Sequence, residues 1–175
     1  MKSKSENIYC FDSSALLDIH RYYPRTVIPD LWAETEQLFT DGRIVSHSIV
    51  FDEIVPASGS KDEIARLVSN HKASFFPITN RQGQLALQIL QQFPRLIDPL
   101  AKKDQADPWV IALVLERMES EGLFGAKSDY VVVSAESERS SQKIPAVCKH
   151  FDVRHMNLFQ FFTDNGWQLS LTKKS

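Results

Sequence analysis

The sequence predicts an α/β domain: a three-layer sandwich in which a short, mainly parallel central sheet lies between helices. Three observations predict it. Residues 8–11 and 129–133 are β-branched, apolar runs of strand length, as expected of strands buried on both faces. Segments of helical period separate them, so the strands are joined by crossovers and run parallel. Each of the two strands ends near an acid, Asp12 after the first and Glu136 after the second. That is the carboxyl edge where open parallel sheets keep their ligand crevice.

The length of 175 residues suits one domain with a full core, taken here as 1–175 with a core of about 8–167 and a short tail over 168–175. Hydrophobic residues make up 43% and charged residues 24%, the balance of an ordinary globular chain. No stretch approaches the roughly 20 apolar residues of a membrane span, and the polar first six residues lack the apolar core of a signal peptide. A cytoplasmic protein is expected. Its two cysteines, Cys10 and Cys148, sit in apolar contexts and are expected to be buried thiols. The net charge of −2 gives no global attraction to nucleic acid, so a polyanion would need a local basic patch. Acids gathered in one site also lower the net charge, which keeps a metal-dependent nuclease open.

Asp12 is followed by Ser13 and Ser14, a helix start, with Ala15, Leu16, Leu17 and Ile19 on the apolar face. On this reading alone Asp12 is a helix N-cap. Arg21, Tyr22, Tyr23, Pro24 and Arg25 break the pattern, either as a loop that touches phosphate and base or as a surface turn with half-buried tyrosines. Pro29 opens a second helix with Leu31, Trp32, Thr35, Leu38 and Phe39 inward and Gly42 as its stop.

Residues 43–45 form a brief strand or extended link, and Ser46 caps a helix through His47, Val50, Phe51 and Ile54. Glu53 sits at the rim of that helix's buried stripe, while Asp52 points about 100° away into solvent. After the turn-rich residues 56–60, Ser60 and Glu63 have capping-box spacing for a helix with Ile64, Leu67 and Val68 inward. Residues 75–78 are extended. Asn80 opens a scaffold helix carrying Leu85, Leu87, Ile89, Leu90 and Phe93, ended by Pro94.

Asp104 or Asp107 caps a helix whose Val110, Ile111, Leu113, Val114, Leu115 and Met118 make it apolar nearly all round and hence buried. Pro108 suits its first turn. Residues 144–148 and 153–156 follow as a short helix and a last strand. Residues 157–162 form a final amphipathic helix ending at Asn165 and Gly166, and Lys173 and Lys174 belong to a loose tail.

Four acids share one description. Asp12 and Glu136 follow strands, Asp107 opens a buried helix, and Glu53 flanks a helix that packs nearby. If they converge, repulsion of several kcal/mol forces protonation unless a cation is bound. Hard oxygen donors without clustered His or Cys favour Mg²⁺ or Mn²⁺. Such an ion polarises a phosphodiester and activates water, which is hydrolytic nuclease chemistry.

The order Cys-Phe-Asp-Ser-Ser-Ala-Leu at 10–16, Val-Phe-Asp-Glu-Ile at 50–54, Ala-Asp-Pro-Trp-Val-Ile-Ala-Leu at 106–113 and Val-Val-Val-Ser-Ala-Glu at 131–136 resembles the PIN domain. Residues 143–148 and 157–162 resemble a PIN-like branch of that superfamily. The resemblance spans about residues 8–167. It implies a metal-dependent ribonuclease of the kind found as toxins of toxin-antitoxin pairs, with an antitoxin protein as partner and a homodimer as a further expectation. It implies Asp12, Glu53 and Asp107 as metal-binding acids, Ser13 or Ser134 as hydrogen-bond supports, Asp104 as an outer acid and Lys143 as a phosphate-binding cation. Glu136 departs from the pattern, which more often has aspartate there.

Two rivals stand beside this reading. A haloacid-dehalogenase-type phosphatase also carries an aspartate after its first strand, but its second aspartate, two residues on, is here Ser14. A catalytically idle PIN-like module that binds RNA or protein keeps the same carboxylates. Cys148, His150 and His155 supply only three potential zinc ligands in no regular finger spacing. His20 and His47 are expected on helix surfaces and Trp109 in the core, with Lys102 and Lys103 solvated beside the acidic turn.

Overall fold

The computed structural model describes residues 7–59, 62–101, 105–124 and 128–168. Five strands, β1 (Asn7–Phe11), β2 (Ile44–His47), β3 (Phe75–Phe76), β4 (Asp129–Val133) and β5 (Arg154–Met156), form one sheet in the order β3-β2-β1-β4-β5. Every pair is parallel, so the sheet is wholly rather than mainly so. The chain builds outward from β1 on one side and then restarts on the other. The gap between the carboxyl ends of β1 and β4 is therefore the topological switch point.

Helices cover both faces. They are α1 (Ser13–Tyr22), α2 (Pro29–Thr40), α3 (Ser48–Ile54), α4 (Glu63–Asn70), α5 (Asn80–Gln92), α6 (Asp107–Phe124), α7 (Ile144–His150) and α8 (Leu158–Asp164). Alternation along β1 shows why. Tyr9 and Phe11 meet the edge of the Phe161 ring of α8 on one face, with centroids 4.8 and 5.0 Å apart, while the Cys10 thiol faces the Val110 carbonyl of α6 on the other. Cys10 and Cys148 are buried free thiols. No helix among the described residues is long and apolar enough to cross a membrane.

The predicted inward faces of α2 and α4 are buried as expected. Pro29 is at the start of α2, and beyond its end Gly42 takes a φ of +70°, which a side chain would strain. Four local expectations are corrected. Ser46 lies within β2, donating from its hydroxyl to the Phe11 carbonyl at 2.6 Å, and the cap of α3 is His47. The residue preceding α4 is Asp62; Ser60 and Lys61 lie outside the described residues, as do Lys173 and Lys174. Asn80 opens α5 as expected, capped by Thr79 through a full capping box with Gln82, but Leu87 is 60% exposed because α5 buries only a narrow face. Finally, α6 is apolar around its circumference only in its first half, since Met118 is 40% exposed.

Candidate carboxylate site

Asp12 follows β1 and caps α1. Its backbone N–H donates to the Val133 carbonyl at 2.9 Å, which ties it to the end of β4. Its Oδ2 accepts from the Ser14 backbone N–H at 3.1 Å and the Ser14 hydroxyl at 2.6 Å. That hydroxyl also accepts from the Ala135 N–H at 3.0 Å, so one serine clasps the two strand ends. The support expected of Ser13 is thus made by Ser14, the residue whose amide a capping aspartate two positions earlier can reach.

The other oxygen, Asp12 Oδ1, is buried without a hydrogen-bond partner. Leaving such an acceptor unpaired costs about 1–3 kcal/mol, more when it carries charge, and a structure retains it only where something else holds it in place. Asp12 as a whole is 2% exposed. Burial pushes its pKa up to about 6, against the two Ser14 hydrogen bonds that lower it, with the charges of Glu136 and Glu53 raising it further.

Asp107 opens α6. Burial is the largest cause of a pKa pushed up to about 8, followed by the charges of Asp12 and Glu136; Lys143 opposes them and Glu53 adds to them. Glu53 and Glu136 therefore act on both Asp12 and Asp107, and Asp12 acts on Asp107, at this edge of the sheet. That is the sense in which the fold brings them together.

Two of them also have structural work. Glu53, exposed on α3, accepts the Ala106 N–H at 3.0 Å just ahead of α6, and Glu136 accepts the Ile144 N–H at 2.8 Å at the start of α7. Carboxylates suit helix N-termini, where amides lack intrahelical partners. Lys143 pairs with Glu136 at 3.1 Å, and this bond is the main reason its pKa is raised. Ser134, fully buried, accepts weakly from the Glu136 N–H at 3.4 Å and bonds the His155 ring at 2.9 Å, so it supports Glu136. Asp104, Lys102 and Lys103 lie outside the described residues.

Among the described residues no group of three or more His, Cys, Asp or Glu side chains is poised around a common point as a ready metal cage. Cys148, His150 and His155 do not form one either. The fit to a cation rests on chemistry instead: a partnerless buried carboxylate oxygen, a second acid held at about 8, and hard oxygen donors throughout.

A second buried polar group was not legible in advance. His47, expected on a helix surface, is fully buried. Its Nδ1 accepts the Ile49 N–H at 3.1 Å, which leaves Nε2 to donate to Gln82 Oε1 at 3.2 Å. Gln82 Nε2 donates to Glu116 at 2.6 Å, and Trp109 stacks on the imidazole with centroids 5.5 Å apart. Burial lowers the His47 pKa. The Thr79, Gln82 capping-box spacing is a signal that could have placed Gln82 at the start of α5. Gln82→Leu keeps the volume but strands the His47 and Glu116 groups, so urea unfolding is expected to show a loss of about 1–3 kcal/mol. An unchanged midpoint would mean the network contributes nothing.

The site and fold define an α/β protein with an acidic edge at the switch point of an all-parallel sheet. A family model described as a domain of unknown function (DUF4411) matches residues 9–169, which include all four acids, and the chain belongs to that family. No curated protein matches it.

Proposed function

We propose that the chain is a Mg²⁺- or Mn²⁺-dependent ribonuclease that hydrolyses RNA phosphodiester bonds. The observation that carries this reading is Asp12: a buried carboxylate with one oxygen fixed by Ser14, the other partnerless, and Glu136 and Glu53 acting both on it and on Asp107. Asp12 and Asp107 would hold the ion, with Glu53 and Glu136 at the rim, each already engaged with a helix N-terminus. When bound, a hard divalent ion supplies Lewis acidity toward a phosphodiester. Ser14 orients Asp12, the Glu136–Lys143 pair balances charge beside the acids, and the Lys143 ammonium is a cation that could meet a substrate phosphate.

The resemblance to PIN domains adds the biological reading: a cytoplasmic toxin restrained by an antitoxin protein, able to form a homodimer. Purified protein is expected to cleave RNA with Mn²⁺ and to stop on addition of EDTA. Cleavage that persists in EDTA would overturn the metal mechanism.

A second reading has its own observation. Glu53 and Glu136 each spend an oxygen on a backbone amide, and Lys143 neutralises Glu136, as an idle RNA- or protein-binding module would allow. Such a module binds RNA or a partner protein and shows no cleavage, whichever divalent metal is supplied.

A further inference from the structure

A cleft of about 620 Å³ opens at the same sheet edge, between the end of α1 and the start of α8, with Glu136 in its wall. Tyr22, Tyr23, Leu158, Phe159 and Arg139 line it as well. Tyr22 is 61% exposed and Phe159 is 70% exposed, two large rings that core packing leaves unexplained. The wall they belong to is firm. Phe162, in the core, meets Tyr23 at 5.3 Å and Phe159 at 6.5 Å between centroids, both edge to face. The Arg21 guanidinium lies 5.7 Å from the Tyr22 ring centroid and is tied to Asp18 at 3.3 Å.

The charge of the lining decides what fits. Asp18 and Glu136 are paired with Arg21 and Lys143, and Glu138 stands against Arg139, so the lining has no net positive charge to draw a phosphate, whereas a neutral flat ring needs none. Exposed aromatic faces and a guanidinium are the surfaces on which nucleobases stack. The volume is that of a small-ligand site. A base within a duplex is already stacked and cannot enter, so the occupant must be unpaired.

The geometry points to this cleft as a subsite for an unpaired nucleobase of the substrate, beside the phosphate presented to the carboxylates; it rests on the ribonuclease reading above. The sequence motif Arg21, Tyr22, Tyr23 thus has its base-contacting role, completed by Phe159 and Arg139 from distant segments. The carboxylate edge takes the backbone and the aromatic wall takes a base.

The test is fluorescence anisotropy in EDTA, where no cleavage intervenes, with a short labelled single-stranded RNA and an abasic strand of the same length and charge. Wild-type protein is expected to bind the intact strand about tenfold more tightly. The Tyr22→Ala, Phe159→Ala double variant is expected to lose that margin while binding the abasic strand as before. Tyr22→Phe with Phe159→Tyr keeps it. Equal or absent binding of the two strands by wild type, or an unaltered margin in the alanine variant, overturns the subsite and leaves the wall to a protein partner. A margin that survives while Mn²⁺ elicits no cleavage supports the subsite and sinks the ribonuclease reading alone.

Discussion

Asp107→Asn is expected to cut RNA cleavage by about a hundredfold or more while making the metal-free protein more stable. The two effects share one origin. The Asp107 pKa is raised from 3.8 to about 8, so the folded state holds the proton more tightly than the unfolded chain does. Stability from this group is therefore intact at low pH, falls as pH rises through the range from about 4 to about 8, and is flat above that. Asparagine cannot ionise and avoids the loss. Solvent reaching the half-buried side chain screens part of the penalty, which leaves a gain of about 1–3 kcal/mol at pH 8.5, or about 3–10 °C in Tm. At pH 4.5 wild type and variant should melt alike. A variant that melts lower than wild type at pH 8.5 would show that the carboxylates do not crowd one another.

Saturating Mn²⁺ is expected to raise Tm by about 5–10 °C at pH 8, from the roughly 2.7 kcal/mol that a ligand at a hundred times its Kd contributes. At pH 5.5 the rise should be much smaller. Asp12, raised to about 6, and Asp107, raised to about 8, are then largely protonated, and a divalent ion must displace those protons to bind. Apparent affinity accordingly climbs between pH 5.5 and 8 and levels off above. Asp12→Asn should remove the shift at every pH. Thermal melting against pH and Mn²⁺ reads all of this without any RNA, and a wild-type curve that ignores the ion would end the cation hypothesis.

Where the sequence speaks strongly, structure follows it. The runs at β1 and β4 and the inward faces of α2 and α4 have composition and period that admit one reading, and the core is built on them. The β2 to α3 boundary was less legible, because Ser46 and His47 are both able to cap. Pairing with β1 and β3 extends β2 through His47 and settles the matter. Burial of His47 depends on Gln82 and Trp109, partners far along the chain that no local pattern announces. At the site, Asp12 and Glu136 could be picked out by their places after strands, Asp107 by its place at a helix start, and Glu53 by its place at the rim of a buried stripe. The engagement of Glu53 with the amide before α6, and of Glu136 with the first amide of α7, is a matter of tertiary approach and leaves no local signature.

The strand order has a consequence for how the protein is made. β1 leaves the ribosome well before its neighbour β4, which is more than a hundred residues behind, and Asp12 hangs its amide on Val133 at the end of that later strand. Pairing so distant in sequence closes slowly and late. A chain that stops short of β4 lacks the second wall of the acidic edge and Glu136 with it, so the four acids share an edge only once β4 has been made and has docked.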